Sequence, residues 1–161
     1  MPSRKLDDLH PEVMKKALRF LTLAKQKYGI DVLIYCTYRS PEEQEVLYLQ
    51  GRYDKLGITL EQLNEKRKKL GLYPLTEKEA KKIITNAKPW QSAHQYKVAF
   101  DCVPIVAGKP DWNNINLYKK LAEIGKEVGL DWAGEWKTFK EYPHFQDTKL
   151  FEELKFLHDN L

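Results

Sequence analysis

The sequence predicts an α+β domain in which helices flank a small antiparallel sheet. Several segments repeat apolar residues at helical spacing between residues that are typical of helix ends. A few shorter segments are rich in β-branched and aromatic residues, which is typical of strands. Because the helices are mixed with strands that do not alternate with them, an α+β fold is favoured.

The first half of the chain begins with a helix and a strand. Pro11 suits the first position of a helix that ends at Gly29, and residues 31–38 predict a strand. Ser40 and Glu43 then form a capping box, which predicts a helix that runs to residue 50.

Two short charged helices follow, between about residues 59 and 84. Thr59 with Gln62, and Thr76 with Glu79, supply a capping box for each of them. Because this stretch is polar, we interpret residues 54–84 as an insertion on the surface of the domain.

The second half of the chain predicts one further strand and two helices. The strand covers residues 97–103, and an amphipathic helix covers residues 114–128. A short aromatic segment at 130–145 separates this helix from a final helix at about 149–158.

Length and composition indicate one domain, spanning residues 1–161. Of the 161 residues, 42% are hydrophobic and 31% are charged, which is typical of a globular protein with one core. The 27 Lys and Arg, against 23 Asp and Glu, are spread over several helices. This pattern indicates a solvated surface and no nucleic-acid partner. The net positive charge would still help the protein to approach any polyanionic surface, including a bacterial cell wall. We expect the protein to be a monomer.

The N-terminus predicts synthesis in the cytoplasm without export by a signal peptide. No apolar stretch follows the charged N-terminus, so no signal peptide is predicted, and no segment is apolar enough for membrane insertion. If the protein acts outside the cytoplasm, another component must release it. Cys36 and Cys102 each lie in a predicted strand, so we expect buried free thiols and no disulfide.

Asp101 is the first candidate for a chemical role. It lies in an apolar strand between Phe100 and Cys102, seven residues after His94. A carboxylate in such a strand is costly to bury without a partner, and a metal ion is a suitable one. An aspartate at a strand edge that is satisfied by backbone amides is the alternative, and Asp101 alone leaves both interpretations open.

The second candidate is the pair formed by Glu141 and His144. A glutamate three residues before a histidine, with Pro143 between them, can lie beside a metal-bound imidazole without being a ligand. Catalytic zinc sites keep three protein ligands and leave a position for water, whose proton a nearby glutamate can accept. Two histidines and an aspartate suit zinc, but the spacing alone does not show that these segments meet.

Seven segments carry a more specific pattern. They are Thr37–Ser40 (TYRS) with Gln44, Leu47–Arg52 (LYLQGR), Thr85–Lys88 (TNAK), Ser92–His94 (SAH), Ala99–Asp101 (AFD), Gly129–Trp136 (GLDWAGEW) and Glu141–Phe145 (EYPHF). In this order they resemble the zinc peptidase family that includes D-Ala-D-Ala carboxypeptidases and the L-alanyl-D-glutamate endopeptidases of phage endolysins. The G-R, T-N-A-K and G-x-W pieces are most similar to the phage and cell-wall endopeptidase branch.

The resemblance implies a fold of the Hedgehog and DD-peptidase type with Zn²⁺ as cofactor. It implies that His94, Asp101 and His144 are the metal ligands and that Glu141 is the catalytic acid and base. It also implies that Arg39 faces the cleft, where a guanidinium can stabilise an oxyanion or hold a substrate carboxylate. The alternative for Arg39 is a strand-end arginine that pairs with a helix.

Further residues are implied to contact the substrate. Gln44 belongs to the first of the matching segments, Ser92 either orients a ligand or substrate or serves a turn, and Trp136 lines the cleft. Of Trp132 and Trp136, at least one is expected to pack in the core. Between Arg52 and Thr85 the family usually has a much shorter loop, which is consistent with an inserted segment. Compared with the family, we also expect no separate wall-binding domain.

The predicted function is hydrolysis of the L-Ala–D-Glu bond in bacterial peptidoglycan, as by an endolysin that stays in the host cytoplasm until a holin releases it. Two alternatives are open. A D-Ala-D-Ala carboxypeptidase or dipeptidase would use the same zinc site, and a non-catalytic wall-binding module would use zinc only for stability. Glu141 argues against the module, because a structural zinc site needs no base.

Overall fold

The structure, a computed structural model, describes residues 1–161 and contains six α-helices and five β-strands. The helices are α1 (Pro11–Tyr28), α2 (Pro41–Leu49), α3 (Leu60–Lys69), α4 (Glu77–Ala80), α5 (Ile115–Val128) and α6 (Thr148–Asp159). The strands are β1 (Asp31–Cys36), β2 (Ala99–Val106), β3 (Lys109–Pro110), β4 (Asp131–Trp132) and β5 (His144–Gln146). Helices around a small antiparallel sheet confirm the predicted α+β class. No helix has the length and apolar character needed to cross a membrane.

The helix ends follow the local signals of the sequence. Ser40, Thr59 and Thr76 each accept a hydrogen bond from the backbone of the third helical residue, and all three capping boxes are complete. Helix α1 begins with Pro11 and ends at Gly29, whose φ of 64° lies in the left-handed region that favours glycine. Helix α4 is only one turn long, shorter than predicted.

The sheet is antiparallel throughout, and β2 lies at its centre. Its strand order is β1-β2-β5-β4, and β3 pairs with the far end of β2. Asp101 on β2 stands opposite Cys36 of β1 on one side and opposite His144 of β5 on the other. The register of β1 shifts between Ile34 and Cys36, and the strand ends at Cys36, before the predicted residue 38.

The main core lies between the sheet and helices α1 and α5. It contains 19 buried residues, and three phenylalanines form its centre. Phe20 of α1 packs against Phe100 and Phe145, with ring centroids 5.4 and 4.9 Å apart. This core holds β2 and β5 together, and these two strands carry Asp101 and His144. Cys36 and Cys102 are buried free thiols, as predicted.

The polar segment between α2 and β2 has a small apolar cluster of its own. Val46 and Leu49 of α2 pack against Leu63 of α3 and against Leu75 and Ala80. Gly51 donates a backbone hydrogen bond to the carbonyl of Ala80, which ties the end of α2 to α4. The segment is therefore folded onto α2.

Candidate metal centre and active site

His94, Asp101 and His144 come from three different local structures. His94 lies in a 3₁₀ turn (Ala93–Tyr96) just before β2, and the hydroxyl of Ser92 caps this turn by accepting from the His94 amide at 3.3 Å. Lys97 follows with a φ of 65°, which turns the chain into β2. Asp101 lies within β2, and His144 is the first residue of β5.

These three side chains converge on one point. Nε2 of His94 lies 3.2 Å from Oδ1 of Asp101, and Nδ1 of His144 lies 3.0 Å from the same oxygen. The two imidazole centroids are 5.1 Å apart. The structure thus brings together the three residues that the resemblance implies as ligands, which spacing alone did not predict.

The outer nitrogens of both histidines are already occupied. Nδ1 of His94 donates to the carbonyl oxygen of Thr37 at 2.8 Å, and Nε2 of His144 donates to Oε1 of Gln146 at 2.8 Å. Gln146 is oriented in turn, because its amide nitrogen donates to the hydroxyl of Thr148. Each neutral imidazole therefore presents a lone pair, not a hydrogen, to the carboxylate of Asp101.

Three acceptors facing one another in a buried place require a cation between them. A divalent metal ion meets this need, and the two nitrogens and one oxygen form a donor set that suits zinc. Orientation of ligand imidazoles by a carbonyl and an amide oxygen is also typical of metal sites. On these grounds the residues fit a zinc ion.

The pKa values at the site follow from burial and from Asp101. Burial opposes ionisation of Asp101, but the two histidines outweigh it and hold the pKa of this carboxyl well below its usual range. Burial lowers the pKa of His94. Burial also acts to lower the pKa of His144, but the hydrogen bond to Asp101, the negative charges of Asp101 and Glu141, and the hydrogen bond to Gln146 together outweigh it, and the pKa is raised. Without metal, a proton on His144 takes the place of the cation.

Cys36 supplies another possible donor atom. Cys36, His94 and Asp101 can each place one ligand atom within 4.8 Å of the others. The Cys36 sulfur, however, lies 3.8 Å from Nδ1 of His94, the nitrogen that bonds to Thr37. Burial and the nearby Asp101 raise the pKa of the Cys36 thiol to about 12, so it stays protonated. His144 is therefore the better third donor.

Glu141 lies at the rim of the site. Its Oε2 is 3.8 Å from Nδ1 of His144, and its side chain is 35% exposed. Burial raises the pKa of Glu141, which makes its carboxylate a stronger proton acceptor. The loop that carries it is held by Trp132, whose indole donates to the carbonyl of Tyr142, and by Pro143, whose carbonyl accepts from the Cys102 amide.

Arg39 reaches the same point from the end of β1. Its Nη2 lies 3.6 Å from Oδ2 of Asp101, and its Nη1 donates to Oε1 of Gln44 at 3.0 Å. Its Nε is buried without a partner. Arg39 also lines the cleft, so it combines the two interpretations that the sequence left open.

A cavity of about 760 Å³ opens over these residues. Its lining includes the predicted Arg39, Ser92, His94, Asp101, Trp136, Glu141 and His144. The ring of Trp136 lies 5.5 Å from that of His144 and is partly exposed, whereas Trp132 is buried. Trp136 thus lines the cleft, and Trp132 packs in the core.

Gln44 requires a correction, because it does not line this cavity. Its side chain is completely buried, and its amide oxygen accepts from Arg39. Its amide nitrogen donates to the carbonyl of Ala87 at 2.8 Å. The amide is therefore used between Arg39 and the 85–87 loop, and the predicted direct contact with substrate is not possible in this arrangement.

Sequence reasoning missed Gln146 and Thr37, which orient the two imidazoles. Gln146 had a usable signal, because it follows His144 by two residues in a strand and so faces the same side of the sheet. The carbonyl of Thr37 had none, since a backbone acceptor carries no residue signature.

Comparisons with known proteins identify relatives of this chain. The D-alanyl-D-alanine carboxypeptidase family matches residues 85–147. The chain is 34% identical over 154 residues to the peptidoglycan L-alanyl-D-glutamate endopeptidase CwlK of Bacillus subtilis, and the match covers 86% of this chain and 73% of the relative.

Solved structures share the fold at lower identity. The L-Ala D-Glu endopeptidase ChiX of Serratia marcescens has a TM-score of 0.51 at 21% identity, covering 91% of this chain and 87% of ChiX. The vancomycin resistance D,D-pentapeptidase VanY, in complex with Zn(II), has a TM-score of 0.54 at 16% identity, covering 89% of this chain and 78% of VanY. These two structures show the shared fold, and the 34% identity to CwlK over most of both chains establishes that the chain belongs to the M15 family of zinc-dependent metallopeptidases.

Proposed function

We propose that this peptidase hydrolyses the L-Ala–D-Glu bond in the stem peptides of bacterial peptidoglycan, with zinc held by His94, Asp101 and His144. The position of Glu141 carries the hydrolytic part of the proposal. Its carboxylate lies at the cleft rim, beside a ligand imidazole and without a cationic side chain bonded to it. A site that only stabilised the fold would not need a carboxylate in this place.

Glu141 moves the protons of the reaction. When bound, zinc supplies Lewis acidity toward a water molecule and the scissile carbonyl. The Glu141 carboxylate accepts one proton from the attacking water while the oxygen of that water bonds to the carbonyl carbon. It then returns this proton to the amine that leaves when the C–N bond breaks, so the water is divided between the two products.

Other cleft residues act on charge and position. The Arg39 guanidinium, held by Gln44 and close to Asp101, is placed to stabilise the negative charge that develops on the carbonyl oxygen. Trp136 offers an exposed aromatic face next to His144 for packing against the peptide.

The choice of bond rests on the relative with 34% identity, which is an L-alanyl-D-glutamate endopeptidase. A second candidate has its own support, because the family that matches residues 85–147 is described as D-alanyl-D-alanine carboxypeptidase. The same ligands and base would serve both reactions.

Digestion of purified peptidoglycan distinguishes the two candidates. Mass spectrometry should detect glycan that retains L-Ala together with peptides that begin with D-Glu. Release of terminal D-Ala with intact L-Ala–D-Glu bonds would instead assign the carboxypeptidase reaction. The Glu141→Gln protein is the matched control, and it should yield neither product.

A narrower proposal is that the protein is a phage endolysin. Its support is the resemblance of the G-R, T-N-A-K and G-x-W segments to the phage branch of the family. We expect the protein to leave host cells intact when expressed alone and to lyse them when a holin is co-expressed. Lysis that is independent of the holin, or no lysis with it, would contradict this role.

A further inference from the structure

The positive charge of the chain is concentrated in one segment. Residues 52–88, which we call the basic segment, contain ten Lys and Arg and five Asp and Glu, a net charge of +5. The other residues contain 17 Lys and Arg and 18 Asp and Glu, a net charge of −1. The excess that gives the whole chain its charge of +4 therefore lies in the basic segment, which comprises the inserted residues 54–84 and the short stretches on either side of them.

The lysines of this segment are exposed and have no acidic partner. Six of them lie on or directly after α3 and α4: Lys66, Lys68, Lys69, Lys78, Lys81 and Lys82. None of these makes an ion pair, whereas four lysines elsewhere do so with carboxylates: Lys16, Lys25, Lys27 and Lys155. The charges of the basic segment are thus free to attract an external anion.

Both ends of the basic segment lie beside the cleft. Arg52 stacks on the ring of Tyr48, with its guanidinium carbon 4.1 Å from the ring centroid, and Lys88 approaches the same ring at 5.9 Å. Arg52 also donates to the carbonyl of Thr85 and to the side chain of Asn86, two residues that line the cleft. The segment therefore continues the cleft wall on one side.

We propose that the basic segment is an attachment surface for the peptidoglycan polymer, binding the carboxylates of stem peptides that neighbour the one in the cleft. This inference rests on the proposed function, since it takes the same substrate. Peptidoglycan presents many carboxylates on one polymer, so several weak contacts to exposed lysines add up and keep the cleft close to further bonds. A short soluble peptide occupies the cleft alone and gains nothing from the segment.

The test compares two sets of six substitutions. The first changes the α3 and α4 lysines to glutamine: Lys66, Lys68, Lys69, Lys78, Lys81 and Lys82. The control set changes six exposed lysines without ion pairs elsewhere: Lys5, Lys15, Lys109, Lys119, Lys126 and Lys149. Both proteins lose the same charge, so a difference between them reports position, and equal melting temperatures show that both are folded.

Binding is measured by sedimentation with purified peptidoglycan from which phosphate polymers have been removed, in a Glu141→Gln background. We expect the first set to weaken binding about tenfold at low salt and the control set to leave it nearly unchanged. Added salt should reduce the binding of the unsubstituted protein toward that of the first set. With Glu141 present, the first set should raise the KM on peptidoglycan while hydrolysis of a soluble stem peptide is unchanged.

Several results would overturn the inference. One is equal loss of binding by the two sets, which would indicate net charge alone. A second is undiminished binding of peptidoglycan by the first set. A third is that binding depends on these lysines only with wall preparations that retain phosphate polymers, or only with DNA. Failure of the unsubstituted protein to cleave the soluble stem peptide would instead contradict the proposed function, so the two failures are separable.

Discussion

Oε2 of Glu141 and Nδ1 of His144 are 3.8 Å apart, close enough for electrostatic influence but too far for a hydrogen bond. The Glu141 carboxylate is therefore not tied to the imidazole and is free to bond to a water molecule in the cleft. Independence from the metal ligands is what a proton acceptor requires.

Glu141→Gln should retain zinc and lose about 10²- to 10⁴-fold in the rate of peptide hydrolysis. The amide has nearly the shape of the carboxylate but accepts no proton at neutral pH. Metal content by atomic absorption and product release from peptidoglycan provide the two measurements. Glu135→Gln, an exposed residue of the preceding turn, is the control and should keep full activity. Loss of zinc together with loss of activity in Glu141→Gln would instead indicate that Glu141 is a metal ligand.

Gln146→Leu should weaken zinc binding about 10- to 100-fold, because the Nε2–H of His144 loses its acceptor. The dissociation constant can be measured by competition with a chelator. Gln146→Glu keeps an acceptor for the same N–H and should restore tight binding, whereas Gln26→Leu on the exposed face of α1 should have no effect. Equal affinity in the leucine variant would show that Gln146 does not orient the ligand.

The metal-free protein should lose stability as the pH rises above about 6.5. The pKa of His144 is raised in the folded state, so the folded protein holds a proton that the unfolded chain releases near its ordinary value of 6.5. The resulting stabilisation is complete below that value and disappears as the pH rises through the folded-state pKa. His94, whose pKa is lowered, is neutral in the folded state, so it adds no loss of stability as the pH rises.

Urea unfolding at several pH values, with and without zinc, measures this effect. The zinc-loaded protein should show no such decline, because the metal replaces the proton on His144. The decline should persist in Glu141→Gln, since Asp101 contributes more than Glu141 to the raised pKa of His144. Constant stability of the metal-free protein across this range would contradict the assignment of the proton.

Gly134→Ala should destabilise the protein by about 1–3 kcal/mol and reduce activity. A Cβ at this position would overlap the indole of Trp132, which is buried and bonded to the carbonyl of Tyr142. The ring must shift, and the loop that carries Glu141 shifts with it. Thermal unfolding and hydrolysis of a soluble peptide measure the two effects, with Glu135→Ala in the same turn as control. An unchanged melting temperature would show that the turn adjusts freely.

Helix ends were largely predictable because their signals are local. The capping boxes at Thr59 and Thr76 involve residues three apart, and both form as predicted. Strand ends were less predictable, since they depend on pairing with distant segments. Strand β1 ends at Cys36, after which Thr37 and Tyr38 bond to the N-terminal segment at Ser3. Strand β3, of two residues, had no signal of its own.

Side-chain depth at the site could not be read from the sequence. The resemblance correctly identified which segments meet, because those residues carry recognisable motifs. It did not distinguish Gln44, which is buried behind Arg39, from Ser92 and Trp136, which line the cleft. A motif gives residue identity and order, whereas exposure depends on how α2 packs against the 85–87 loop.

The pairing of Asp101 with His144 across β2 and β5 links metal binding to strand register. Strand β5 has only three residues, so few backbone bonds define its position. A slip by one residue would turn His144 to the opposite face and replace it with an apolar neighbour, Phe145. Only the correct alignment completes the ligand set. Zinc binding during folding would therefore stabilise this strand register over the slipped one, and it is the register in which the peptidase is active.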